Sequence, residues 1–323
     1  MKFETVGGLQ YDMPITLEDV LAFEALESKL RAILPEQYQY SYEDVLPVSM
    51  GSAGLKYGED GLVAWKEMWA SFCDLAMAGG PPHRGALLEP AMGEAIAVEP
   101  EAYARGVDEI ARGISLVTGL PVQRQSEGQP GWISLQCGSI GMAGWLVRAI
   151  VMENVMARHE DKILQLPAGP DFRLGKEIKN VITATAKTCH YWTDHMSAEQ
   201  KEDIDQKFSN PEIEFELLAP AIRSDAGFNP KAYNRFLEEI GQGISARTGK
   251  TCFPHRYVGW IGVEYPNDAT AIWLMRAMVV ENILCRREGN VLFLPVHPRF
   301  SSGNRLTRLL DALERFTRLH ALR

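Results

Sequence analysis

The chain has 323 residues, is 46 % hydrophobic and 23 % charged, and carries a formal net charge of −9, enough to bury the cores of two or three compact units and the wrong sign for generic binding to nucleic acid. No stretch approaches the roughly eighteen apolar residues of a membrane span, and the opening MKFETVGGLQYDMP has one lysine with no apolar run behind it, so no membrane partner and a cytoplasmic location are expected. Cys73, Cys137, Cys189, Cys252 and Cys285 are odd in number with no CxxC pair, so reduced and mostly buried thiols are expected rather than a disulfide framework or a zinc ribbon.

In chain order, apolar spacing predicts a helix over Leu17–Leu34, a strand over Val45–Met50, a helix over Gly61–Met77 and a strand over Ala86–Pro90. A helix over 100–119 closed by a glycine comes next, then a hairpin from the segments Val122–Arg124 and Gly131–Gln136. A long helix Met142–His159, a strand Ile163–Pro167 and a closing helix Lys176–Trp192 complete this stretch. Residues 193–212 are polar enough to read as a linker. The same order returns afterwards, with a helix over 230–249, β-rich Cys252–Glu264, a helix Ala269–Arg287, a strand Val291–Pro295 and a closing helix Arg305–Leu322.

The recurrence is explicit in the residues. Positions 132–172 and 260–300 align without a gap and 17 of 41 are identical, among them Trp132/Trp260, Trp145/Trp273, Arg148/Arg276, Glu153/Glu281, Asn154/Asn282, Arg158/Arg286 and Phe172/Phe300. The expected architecture is therefore an internal duplication of α-β-β-α-β-α repeats with pseudo-twofold symmetry, of α/β class with α+β as the alternative. Copy A spans 93–197 and copy B 211–323. The segment 1–92 reads as a diverged third copy, against the alternative of two coincidental α/β signals. A strand, a helix and a second strand make a βαβ-like unit within each copy, with a right-handed crossover if the strands are parallel. Ligands would then gather at the loops after the strands.

Several residues stand out against this frame. Glu153 falls inside the apolar surface of its helix, where a bare carboxylate would cost several kcal/mol; it is a candidate catalytic group, or else a structural pin. An exchange of Arg148 with Glu281 and Arg276 with Glu153 across the repeats would satisfy all four charges. Gly138-Ser139-Ile140-Gly141 and Gly51-Ser52-Ala53-Gly54 lie between strand and helix, where backbone N–H groups and the helix dipole can hold an anion, although Ser139 and Ser52 would equally serve as N-caps. The heptapeptide Gly79-Gly80-Pro81-Pro82-His83-Arg84-Gly85 sets a titratable imidazole beside a guanidinium. Cys137 ends a strand before a glycine loop and is a candidate thiolate. Lys187 and His190 lie with Lys176, Lys179 and Thr183 on one basic face of the closing helix, read as solvated or as an anion-binding wall. His190 and His195 are five apart with Asp194 between, which is not the i, i+4 spacing of a helical zinc pair, so no metal is expected.

Two functions fit these residues. One is an enzyme or small-molecule-binding protein that recognises an anionic metabolite in a pocket between repeats, with His83, Cys137 and Glu153 catalytic and Gly51, Ser52, Arg84, Gly138, Ser139, Gly141, Lys187 and His190 binding the ligand. The other is a non-catalytic scaffold or accessory protein. The first is preferred, because GSIG, Cys137, Lys187 and His190 of copy A become PNDA, Tyr265, Arg315 and Arg318 in copy B. The cofactor is left unspecified and homo-oligomer formation is left open.

Overall fold

The computed structural model describes residues 16–40, 54–69, 75–78, 80, 82, 84–124, 130–209, 216–224, 228–254 and 257–322. They form two compact units: a central unit, Leu34–Phe215, and a flanking unit made of Met1–Ile33 with Glu216–Arg323. The segment expected as a diverged third copy is divided between them at Ile33. Its expected strand Val45–Met50 lies outside the described residues.

Helix α1 (Leu17–Ala32) belongs to the flanking unit and starts on a capping box, in which the Asp19 N–H donates to Thr16 Oγ1 while the Thr16 N–H donates to Asp19 Oδ2. The central unit then runs α2 (Trp65–Trp69), α3 (Gly93–Val98), α4 (Pro100–Thr118), β1 (Val122–Gln123), β2 (Trp132–Gln136), α5 (Ile140–Met152), β3 (Arg158–Glu160), β4 (Ile163–Pro167), α6 (Lys179–His190) and α7 (Ala198–Ser209). The flanking unit resumes with α8 (Pro230–Thr248), β5 (Cys252–Pro254), β6 (Trp260–Glu264), α9 (Asp268–Val280), β7 (Arg286–Glu288), β8 (Val291–Pro295) and α10 (Arg305–Leu319). Within the expected Gly61–Met77 helix the described residues form α2 and the start of a 3₁₀ turn at Ala76–Ala78, Gly61 has φ +75°, and 70–74 lie outside the described residues. Both 19-residue helices, α4 and α8, open on a proline and close on a left-handed glycine, Gly119 at φ 71° and Gly249 at φ 65°, as their sequences imply.

The sheets contain the expected hairpin, β1 with β2, and the strands on either side of α5 and of α9 are not parallel, so the conditional crossover does not arise. Within the central unit the order is β1-β2-β4-β3, and within the flanking unit β5-β6-β8-β7, and every pair is antiparallel. Trp132 faces Pro167 and Gln136 faces Ile163; Trp260 faces Pro295 and Glu264 faces Val291. The parallel βαβ crossover is absent because the helix between the strands stops early. α5 ends at Glu153 and α9 at Glu281, where Asn154 (φ 58°) and Asn282 (φ 60°) take the left-handed conformation that terminates a helix. Of the last seven residues expected in each helix, the final two instead open an edge strand, β3 or β7. It turns through Asp161-Lys162 or Gly289-Asn290 into the next strand. The fold class is α+β. Among the described residues parallel pairing occurs only as single bridges, Leu88 to Val155 and Leu218 to Ile283.

Each unit is built on its inner helix. Every residue of α5 except Ile140 is buried, and Trp132, Trp145 and Ile150 are at most 1 % exposed. Helix α9 is nearly as enclosed around Trp273, Leu274 and Met278. On the order of 2 kcal/mol per such side chain makes these two helices the main source of cohesion in their units.

Of the expected linker 193–212, the described residues 193–209 form the end of a π-helical turn and a helix, and 210–212 lie outside the described residues. Ser197-Ala-Glu-Gln200 is a capping box, with the Gln200 N–H on Ser197 Oγ and the Ser197 N–H on Gln200 Oε1, both 3.1 Å, and it launches α7. Ile204 and Phe208 of α7 face α5, where Arg148 lies 4.0 Å over the Phe208 ring. The close approach depends on Gly141, since a Cβ there would sit 2.5 Å from the Asp205 Cα.

Candidate functional site

Helix α5 separates the residues expected to share one pocket. At its N-terminal end Ser139 caps the helix by accepting the Met142 N–H, and the Gly141 N–H donates to Asp205 Oδ1 at 2.6 Å. The anion at this helix terminus is thus the protein's own carboxylate, delivered by α7. At the other end Asn154 Nδ2 donates to the Arg84 carbonyl at 2.8 Å. Thirteen helical residues at about 1.5 Å each put roughly 20 Å between the two ends, so Arg84 and the Gly138–Gly141 loop are not opposite walls of one pocket. The Arg84 side chain instead donates to Glu177 Oε1 at 3.0 Å. Hydrogen bonds from Arg173, then from its backbone and from Arg84, outweigh burial and hold the Glu177 carboxyl down at about 2. Gly51, Ser52 and His83 lie outside the described residues, as do Cys73 and Asp74.

Cys137 does not have the character of a thiolate. It is 3 % exposed, and burial pushes its thiol up to about 12, against a smaller downward pull from a backbone hydrogen bond at Leu164. Burial raises Cys189 and Cys285 as well.

The middle of the basic face expected on the closing helix is not solvated either, while Lys176 and His190 at its ends remain accessible. Lys179, Thr183 and Lys187 are 3–6 % exposed. Lys187 Nζ is 2.7 Å from Glu153 Oε1, which also accepts the Ala76 N–H at 2.9 Å. Glu153 therefore takes its cation from the next helix of its own unit, in place of the expected Arg276. Its counterpart Glu281 meets Lys29 at 2.7 Å and Arg315 at 3.5 Å. With side chains 0 % and 4 % exposed, the Glu153–Lys187 pair has no face on which a ligand could land, and a structural role explains it.

One cluster remains that is both polar and open. Helix α6 ends in a π-helical turn, Tyr191–His195, beyond His190. In an α-helix residues five apart diverge by about 140° around the axis. The i→i+5 turn brings them back over one another, so the π turn is what joins His190 to His195. Their Nε2 atoms are 3.0 Å apart, the rings nearly perpendicular at 84° with centroids 4.6 Å apart. His190 Nδ1 meets Asp194 Oδ2 at 2.7 Å. Since a carboxylate only accepts, His190 carries a proton on Nδ1 and presents its Nε2 edge to His195. Burial, then the neighbouring His190, lowers the His195 pKa against a smaller opposing effect of Asp194. Tyr191 and Tyr38, hydroxyl to hydroxyl, form the buried floor, and Lys201 Nζ from α7 closes the Thr193 carbonyl at 2.8 Å. His190 is 30 % and Asp194 60 % exposed. The sequence analysis weighed His190, Asp194 and His195 together and set the trio aside, because their spacing was judged on α-helical geometry.

Among the described residues no group of three or more His, Cys, Asp or Glu side chains forms a metal-binding cluster, and no helix is long and apolar enough to cross a membrane. Comparison of the chain with models of known families, with curated proteins and with solved structures finds no match.

Proposed function

We propose that the protein is an enzyme or binding protein for a small anionic metabolite, that it contacts this ligand at the Asp194–His190–His195 cluster of the central unit, and that the two units descend from one duplicated ancestor. The observation that carries the reading is where the likeness between the units stops. Strand order, sheet register, the left-handed asparagines and the helix-to-helix carboxylate–cation pairs recur 128 positions apart (132 to 260, 154 to 282, 187 to 315). At the same offset His190, Asp194 and His195 become Arg318, Leu322 and Arg323. Matching packing with unmatched polar chemistry in one unit is what a single site on a duplicated scaffold would leave. A half-open turn with the Lys201 ammonium on its Thr193 carbonyl offers the cationic N–H donors that suit carboxylate or phosphate oxygens.

A thermal-shift panel of small carboxylates and phosphates, run in the presence of a chelator on the wild type and on H195Q, tests this. At least one anion should stabilise the wild type and leave H195Q unmoved. An equal response of both proteins, or none, would sink the site and favour the accessory-protein reading. For that alternative the relevant feature is α1, which exposes Leu17, Val20 and Leu21 along one face at 75, 38 and 57 %.

A further inference from the structure

The geometry of the same π turn points to a divalent transition-metal ion of the zinc, nickel or copper class held between His190 Nε2 and His195 Nε2. The inference deepens the reading above and rests on it for the ligand that would complete the ion's shell. Four observations carry it. Two imidazole nitrogens 3.0 Å apart, each about 2.1 Å from a shared ion, subtend close to 90° at that ion, an ordinary angle between neighbouring ligands. The ring centroids are only 1.6 Å further apart than the nitrogens (4.6 against 3.0 Å), so the rings are not laid end to end and their nitrogens lean toward a common point.

Third, the Asp194 carboxylate on His190 Nδ1 is the outer partner that metal-bound histidines use to fix tautomer and ring orientation. Fourth, the pair exists only because the chain adopts a π turn there, a distortion that recurs at functional sites. The partial exposure of His190 and Asp194 leaves an entry path.

Proton accounting is simple. Without metal and with His190 neutral, His195 donates its Nε2–H to the His190 lone pair. With metal, both Nε2 atoms offer lone pairs and the His195 proton moves to Nδ1, so none is lost overall. No third protein ligand stands among the described residues, and the remaining positions fall to water or to oxygens of the anionic ligand.

Isothermal titration of the chelator-treated full chain with Zn²⁺ alone, and with Co²⁺ as a visible-absorbing probe, tests the site. One ion should bind, H190Q and H195Q should each abolish binding, and D194N should weaken it by roughly ten- to a hundredfold, the usual effect of losing an outer-shell partner. H297N, at a turn cap in the flanking unit, should bind like the wild type. Should a histidine variant fail to fold, imidazole ¹⁵N shifts of the wild type still decide, since Zn²⁺ must move both Nε2 resonances. No bound Zn²⁺, or binding that survives both histidine substitutions, overturns the proposal. An anion that stabilises the protein in chelator while Zn²⁺ does not bind removes the metal and leaves the anion reading. Zn²⁺ binding at the pair with no anion response, with or without the metal, does the reverse.

Discussion

The α5–α6 and α9–α10 pairs place a carboxylate and a cation at equivalent positions, Glu153 with Lys187 and Glu281 with Arg315, yet they put them in different solvents. In the central unit both side chains are almost wholly buried, 0 % and 4 % exposed. In the flanking unit Glu281 is 22 % and Arg315 46 % exposed, and Lys29 from α1 adds a second, 59 % exposed cation. Coulomb attraction is strong in the first setting and screened in the second, while the penalty for stranding a charge exists only in the first. Equivalent residues thus do unequal work, and burial decides how much.

Substitution should expose this difference most sharply. K187A takes the Lys187 cation away from the buried Glu153 and should lose about 3–5 kcal/mol in urea denaturation, whereas R315A should lose at most about 1 kcal/mol. The double replacement K187M with E153L should recover most of the loss. Equal costs for K187A and R315A would break the comparison.

The N-terminal ends of the same helices offer a second contrast. Gly141 lies against the α7 backbone, while its counterpart Ala269 is exposed. G141A should lose about 1–3 kcal/mol through forced displacement of α7. A269G should change stability by less than about 1 kcal/mol. D205N, which neutralises the anion at the α5 terminus, should lose about 1 kcal/mol or less, and the loss should shrink in high salt.

Glu177 ties the contrast to pH. Its folded-state pKa of about 2 lies below the ordinary 4.5, so the stability it contributes is complete above about 4.5 and disappears as pH falls toward 2. E177Q should flatten the stability–pH curve between those values. An unchanged slope would show that the hydrogen bonds from Arg173 and Arg84 do not form in solution.

Much of the fold is legible in the chain. The glycine-closed helices, the strands Trp132–Gln136 and Ile163–Pro167, and the all-round burial of α5 follow from local pattern, since period and capping chemistry are properties of a few neighbouring residues. Three signals were present but outweighed. Asn154 and Asn282 as helix terminators, the two-residue hairpin turns after β3 and β7, and the SAEQ capping box of α7 each lay inside stretches whose general polarity or apolarity suggested something else. Of the candidate residues, His190 proved to lie in an open polar cluster, while Lys187 and Glu153 neutralise each other and Cys137 is held as a buried thiol.

The sequence by itself determined the glycine-closed helices α4 and α8, the strands Trp132–Gln136 and Ile163–Pro167, and the correspondence between two stretches 128 residues apart, because these depend on side-chain period and backbone preference near in sequence. Only the tertiary structure decided that the strands on either side of α5 and of α9 pair antiparallel, that Asp205 fills the α5 terminus, that Lys187 rather than an arginine neutralises Glu153, and that His190 meets His195. Each of these turns on which distant surface excludes water from a polar group, or on a helical turn widening from i→i+4 to i→i+5, and neither is encoded in the spacing of residues along the chain.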